Sequence, residues 1–197
     1  MRLYTPAFAA LFIANLALVS SYAAFFLFPL FIIERGGSER DIGIIMGIFA
    51  LTSALSRPWV AEMIDRIGRK RSYSIGCIMM TLLPLLHLFL QGLLEHYYAS
   101  LLLLRVVHGV GLAICFTSVF TFIIDLIPVE RLNEGIGIFG TSGLIGLALG
   151  PLITEPLLFN YGFSVFFLAT SCLAATAFLL HLPVPDQHRL LASSAPV

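Results

Sequence analysis

The sequence predicts an all-α, polytopic membrane protein of six transmembrane helices. Three observations carry that expectation. Of 197 residues, 59% are hydrophobic and only 11% charged, whereas a water-soluble domain has about 25% charged residues. The apolar residues gather into six stretches, each near the ~20 residues a helix needs to cross a bilayer core. Lys and Arg concentrate in the joints that would share one side of the membrane.

The first stretch, residues 5–33, begins just behind Arg2 and runs on without a small-residue cleavage site. It is read as a retained span, not a signal peptide. A short joint at 34–40 leads to the second span, 41–60, and a charged joint at 61–71 leads to the third, 72–92. Glu95 and His96 mark the next joint, before the fourth span at 97–124. The joint 125–134 precedes the fifth span, 135–159, and Asn160-Tyr161-Gly162 turns the chain into the sixth, 163–182. Dividing the chain near 92–97 gives two three-helix units of similar length, compatible with inverted repeats. The expected domains are therefore a six-helix transmembrane bundle, 1–182, and a cytoplasmic linker or tail, 183–197, with no further soluble domain.

With the N-terminus inside, Arg2, Arg57, Arg66, Arg69, Lys70, Arg71, Arg131 and Arg189 fall on the cytoplasmic side or its edge. Only Arg35 and Arg40 fall outside, so both termini are expected in the cytoplasm and the protein in a plasma or inner membrane. The 11 basic and 11 acidic residues cancel, which leaves no global positive field for nucleic acid. Cys77, Cys115 and Cys172 sit in separate apolar stretches and suggest no disulfide framework. No metal-ligand spacing and no phosphate-cradling G-x-x-x-x-G-K-[ST] occurs, so neither a cofactor nor ATP-driven transport is expected. Gly140-Thr141-Ser142-Gly143 fits the G-x-S-G pattern of intramembrane serine proteases, with His181 as the plausible proton acceptor for Ser142. Helix-packing glycines explain that segment equally well, and no enzyme is expected.

Three segments carry the functional argument. The first is the joint Arg57-Pro58-Trp59-Val60-Ala61-Glu62-Met63-Ile64-Asp65-Arg66-Ile67-Gly68-Arg69-Lys70-Arg71. A turn at Gly68 between two helix ends, beside a carboxylate and several guanidinium groups, can lock helices together through charge-assisted bonds. It resembles the G-x-L-x-D-R-x-G-R-[RK] motif of the major facilitator superfamily, with Asp65, Arg66, Gly68, Arg69 and Lys70 matching and Ala61 and Met63 replacing Gly and Leu. The resemblance implies a charge cluster that stabilises the outward-facing state by bridging to a second helix bundle, joined by an acidic residue at the end of the fourth helix. Asp125 occupies that place.

The second segment places Arg105 about 12 Å inside the fourth span by helix rise, where a charge is costly and suggests a polar partner or a cavity. His108 shares its helix face, and Gly109 and Gly111 permit close packing. The run resembles the superfamily's L-x-x-x-R-x-x-Q-G-x-G-x-A motif with His108 in place of Gln. That resemblance implies that Arg105 serves proton coupling or the cavity's charge balance. Asn15 and Tyr22 in the first span join them as candidate cavity residues; hydrogen bonding between helices is their other reading. His87 reads as a packed or interfacial histidine.

The third segment is Gly137, Gly146, Gly150 and Pro151 in the fifth span, a pliable and tightly packed pattern. It resembles the G-x8-G-x3-G-P-x2-G-G motif of drug:proton antiporters in the same superfamily, with Thr154 and Glu155 replacing the last two glycines. The whole chain thus resembles the N-terminal six-helix half of such a transporter. The implied activity is alternating-access export of a small organic or drug-like solute in exchange for protons, with uptake of a sugar or small metabolite as the alternative. The implied partners are that solute, protons, the lipid bilayer and a second six-helix bundle. Since transport in the superfamily takes place between two bundles, the chain is expected to be part of a longer protein, to pair with another half, or to act as a non-transporting regulatory membrane protein.

Overall fold

The computed structural model describes residues 3–186 and, within them, an all-helical architecture. Helix α1, Pro6–Ala24, starts where the Thr5 side chain accepts a hydrogen bond from the Phe8 backbone N–H, with Pro6 in the first turn. A tightened turn at Phe25–Leu27 separates it from α2, Phe28–Glu34. Pro29 explains the break, since it has no N–H to offer the Phe25 carbonyl one turn back. Together α1 and α2 make the first span. Helix α3, Glu39–Ile67, opens on a capping box in which Ser38 and Asp41 satisfy each other's backbone donors.

Helix α3 continues past the expected end at residue 60, so Asp65 and Arg66 are helical rather than in a joint. The extension carries its charges on the outside, where Arg66 and Glu62, one turn apart, pair at 2.5 Å. Gly68, with φ +92° and ψ 156°, then makes the turn into α4, Arg69–Leu86. A short turn at His87–Phe89 follows, then α5, Leu94–Ile124. After the turn at Val129–Arg131 comes α6, Leu132–His181.

At about 1.5 Å per residue, α6 as one rod would be more than twice the thickness of a ~30 Å hydrocarbon core. It is not one rod. Gly162, with φ +79° and ψ −178°, breaks it into a first arm, 132–161, and a second, 163–181. Along the first arm, Gly146 lies against Leu16 and Val19 and Gly150 against Ser20 and Ala23, so this arm follows α1 in its own direction. The second arm returns: Phe163 packs on Phe31, Phe167 on Phe25, and Ser21 Oγ donates to the Thr170 carbonyl at 2.7 Å. The hairpin supplies the fifth and sixth spans.

The packing exchanges partners between the two three-helix units. Helix α1 of the first unit packs on both arms of α6, while α5, which opens the second unit, packs on α3 and α4. The third spans meet where Ser74 and His181 hydrogen-bond at 2.7 Å. This reciprocal arrangement is that of two inverted three-helix repeats. The core falls into three clusters, one around Leu18, Phe122 and Phe139, one toward the other end of the bundle around Phe25, Phe28 and Phe167, and a smaller one of Val60, Ile64, Ala113 and Ile114. Leu51, Leu103, Phe159 and Leu179 are exposed on the outside. A surface of large apolar side chains on helices of spanning length marks an integral membrane protein.

Of the expected tail, 183–186 are described, and the packed body reaches Val184, which is buried. Lys70 Nζ holds this segment by donating to the carbonyls of Leu182 at 2.7 Å and Val184 at 2.6 Å. Arg2 and Arg189 of the charge pattern, and 187–197 of the tail, lie outside the described residues.

Candidate functional site: a cavity between four helices

Helices α1, α3, α5 and the first arm of α6 line an open-sided cavity of about 670 Å³. Helix α3 contributes a stripe of Met46, Phe49, Ala50, Ser53, Ala54 and Arg57, spaced at three and four residues so that they share one face. Helix α5 adds Arg105, Leu112, Phe116 and Phe120, and α1 adds Val19, Tyr22, Phe25 and Phe26. Gly140 and Gly143 leave room on the α6 side, where Leu144 and Leu147 complete the wall.

Arg105 is fully buried at one end of this space, so it does not snorkel to an interface. Its guanidinium carbon lies 4.1 Å from the ring centre of Phe49, 5.0 Å from that of Phe28 and 5.3 Å from that of Phe25. A central Arg costs about 2.5–3.5 kcal/mol on insertion scales, and a desolvated cation over an aromatic face recovers about 2 kcal/mol. The ring faces therefore stand in for a counter-ion. Nη1 donates to His108 Nδ1 at 3.3 Å and Nη2 to the Met46 sulfur at 3.7 Å, while Nε has no partner among the described residues. An acceptor role for His108 Nδ1 makes that imidazole neutral, with its proton on Nε2. Nε2 is buried without a partner.

The four expected cavity residues divide. Arg105 and Tyr22 line the wall, and the Tyr22 ring stacks on Phe49 at 6.0 Å. His108 lies behind Arg105, wedged edge-on between Phe25 and Phe49. Asn15 turns to the helix contact instead, donating from Nδ2 to Ser142 Oγ at 2.8 Å. This bond also bears on the protease pattern: Ser142 is engaged by Asn15 and the Phe139 carbonyl, whereas His181 pairs with Ser74. His181 therefore does not serve Ser142.

The expected cytoplasmic charge cluster is similarly distributed. Arg69 pairs with Asp125 and donates to the Thr121 carbonyl at 3.0 Å, tying α4 to the end of α5. Asp65 is exposed and makes no ion pair among the described residues. Arg66 pairs with Glu62, and Lys70 holds the segment after α6. Arg57 stands apart from this cluster, about 12 Å along α3 from Asp65 by helix rise, on the cavity wall.

In the antiporter-like segment, the glycines have different surroundings. A Cβ at Gly150 would lie 2.4 Å from the Ser20 carbonyl oxygen, and one at Gly146 2.8 Å from that of Leu16. Gly137 meets nothing within 4 Å and is exposed. Pro151 continues the first arm without ending it, and Glu155 is exposed.

Met46, Phe25 and Phe49 escaped the reading of the sequence although they surround Arg105. The stripe on α3 was available as a signal, because its three-and-four spacing ends on Arg57. The Phe25, Phe28, Phe31 spacing offered another.

A helical membrane bundle with a cavity between the first helices of two inverted repeats is the architecture of one half of a secondary transporter. The Major Facilitator Superfamily model matches residues 10–196, and the chain belongs to that superfamily. It is 31% identical over 147 residues to the staphylopine export protein of Staphylococcus aureus strain Mu50, covering 74% of this chain and 36% of that protein. It is 25% identical over 123 residues to the quinolone resistance protein NorA of Staphylococcus aureus, covering 62% of this chain and 30% of NorA. The matches thus span about a third of these relatives' own length.

Proposed function

We propose that the chain forms one six-helix bundle of a secondary active transporter that exports a small organic solute in exchange for protons. The single observation that carries this reading is the cavity of about 670 Å³ with the buried Arg105 at one end. A volume in the 300–1,000 Å³ range suits a drug-sized molecule, and four helices from both repeats contribute to it. Membership of the superfamily and similarity to an export protein and a drug-resistance protein support the direction and the solute class.

In this account a second six-helix bundle covers the cavity, and rocking of the two bundles exposes it alternately to each side. The exposed Asp65 at the cytoplasmic end of α3 is suited to bridge to that bundle, because Arg69 is already taken by Asp125. Both termini are cytoplasmic, and no chemical conversion accompanies passage. Proton coupling in this bundle falls to Arg105 with His108, since no carboxylate lines the cavity among the described residues.

The test uses proteoliposomes carrying a trapped pH indicator. Addition of norfloxacin, chosen for the similarity to a quinolone resistance protein, is expected to drive proton movement that is lost on Arg105→Ala. Proton movement equal to that of protein-free liposomes would reject antiport and favour a non-transporting, regulatory role.

A further inference from the structure

We propose that the solute of this cavity is an organic anion with an aromatic body, whose carboxylate or sulfonate displaces the Met46 thioether from Arg105. The inference rests on the transport reading above and names its substrate class.

The cavity wall carries two cations, Arg57 and Arg105, and no Asp or Glu among the described residues. Arg105 touches Met46, and Arg57 lies three turns further along α3, so the two positions are about 16 Å apart by helix rise. Between them stand aromatic rings, Tyr22, Phe49 and Phe116 foremost. A cationic solute entering this half of the cavity meets two like charges and no counter-charge. An anion meets a guanidinium near the cytoplasmic side, where Arg57 is exposed, and a second at the outer end.

Arg105 is short of acceptors in a way that points to a ligand. It is fully buried, its Nε is unpartnered among the described residues, and its Nη1 donates to a neutral ring nitrogen. Nη2 reaches only a thioether at 3.7 Å, which is a weak acceptor. Buried charges are ordinarily paired, and here three phenyl rings hold the plane of the guanidinium while its strong acceptor is absent. Met46 and Arg105 both line the cavity, and the Met46 sulfur takes the Nη2 donor there. Unbranched and with three rotatable bonds, the Met46 side chain can swing aside at small cost. An anionic oxygen pair then replaces a weak sulfur contact by charge-assisted, two-pronged bonds, while the aromatic body of the solute packs against the rings below. The same argument separates Arg105 from an ordinary structural arginine, which would have its carboxylate already in place.

The experiment is isothermal titration of the purified chain in lipid nanodiscs, with heats of empty nanodiscs subtracted. It compares three probes of one shape: 2-naphthoate, the neutral 2-naphthamide, and 2-naphthylmethylammonium. The anion is expected to bind about tenfold or more tighter than the amide, as hydrogen bonds to a charged group imply, and the cation weakest. Arg105→Gln should erase that preference and Arg105→Lys retain part of it. Met46→Ala should tighten naphthoate binding by opening the site. Should Arg105→Gln fail to fold, Arg57→Gln, at an exposed position, decides: it should weaken the anion and not the amide. Equal binding of all three probes, or tightest binding of the cation, overturns the inference while leaving the cavity as a solute site. Binding of none overturns both this inference and the cavity's role in transport.

Discussion

Phe49 is held by α5 at two points: its ring lies 4.1 Å from the Arg105 guanidinium carbon, and its carbonyl oxygen fits against Gly109, where a Cβ would come within 2.5 Å. Arg105 and Gly109 are one turn apart, so the absence of a side chain at Gly109 sets the distance at which the Phe49 ring meets the cation. Replacing Gly109 by Ala is expected to push α3 outward, costing about 1–3 kcal/mol as overpacking does, and to loosen Arg105. Thermal unfolding in detergent reads the first effect, and naphthoate titration the second. An unchanged melting temperature would show that α3 and α5 do not pack this closely.

The glycines of the antiporter-like segment should respond unequally. Gly150→Ala forces a Cβ to 2.4 Å from the Ser20 carbonyl oxygen and is expected to destabilise by about 1–3 kcal/mol. Gly137→Ala meets nothing within 4 Å and should leave stability unchanged or raise it slightly. Parallel melts of the two variants check this, and equal losses would contradict the packing described for α1 and α6.

Gly162 adopts φ +79° and ψ −178°, a region almost closed to residues with a Cβ, where strain costs on the order of 1–3 kcal/mol. Gly162→Ala is therefore expected to lower the melting temperature although open space surrounds the position. A variant as stable as the wild type would mean that the hairpin does not need this turn.

The two carboxylates near the Gly68 turn, Asp125 and Asp65, should separate by assay. Asp125→Asn removes the partner of Arg69, and with side chains 22% and 29% exposed the loss is expected to be about 1 kcal/mol. Asp65→Asn removes no ion pair within the bundle, so stability should hold. Its effect should instead fall on the balance of inward and outward states, read by cysteine accessibility at Ala54→Cys on the cavity wall. Unchanged accessibility would remove Asp65 from that balance.

Much of this organisation was legible in the residues. Spans follow from composition because lipid leaves a helix no alternative way to satisfy its backbone. The turn at Gly68 and the reversal at Asn160-Tyr161-Gly162 were marked by glycine and polar residues, and the depth of Arg105 along its helix followed from counting, whereas Arg69, expected in a joint, opens α4. What the sequence hid is azimuthal. Asn15 and Tyr22 both looked eligible for the cavity, yet Asn15 turns toward Ser142 and Tyr22 toward Phe49, because α1 is apolar on every side and its pattern favours no face. The aromatic enclosure of Arg105 draws on residues of three separate elements, so the Phe25–Phe28 spacing and the α3 stripe each mark only part of it.

The most direct test of the central claim is norfloxacin accumulation in inside-out membrane vesicles under an imposed pH gradient, comparing the wild type with Ala54→Trp, which fills the cavity from α3. The cavity account predicts rapid accumulation in wild-type vesicles and a background rate in the variant at equal protein level. Accumulation at the same rate in both would contradict passage of solute through the space between α1, α3, α5 and the first arm of α6.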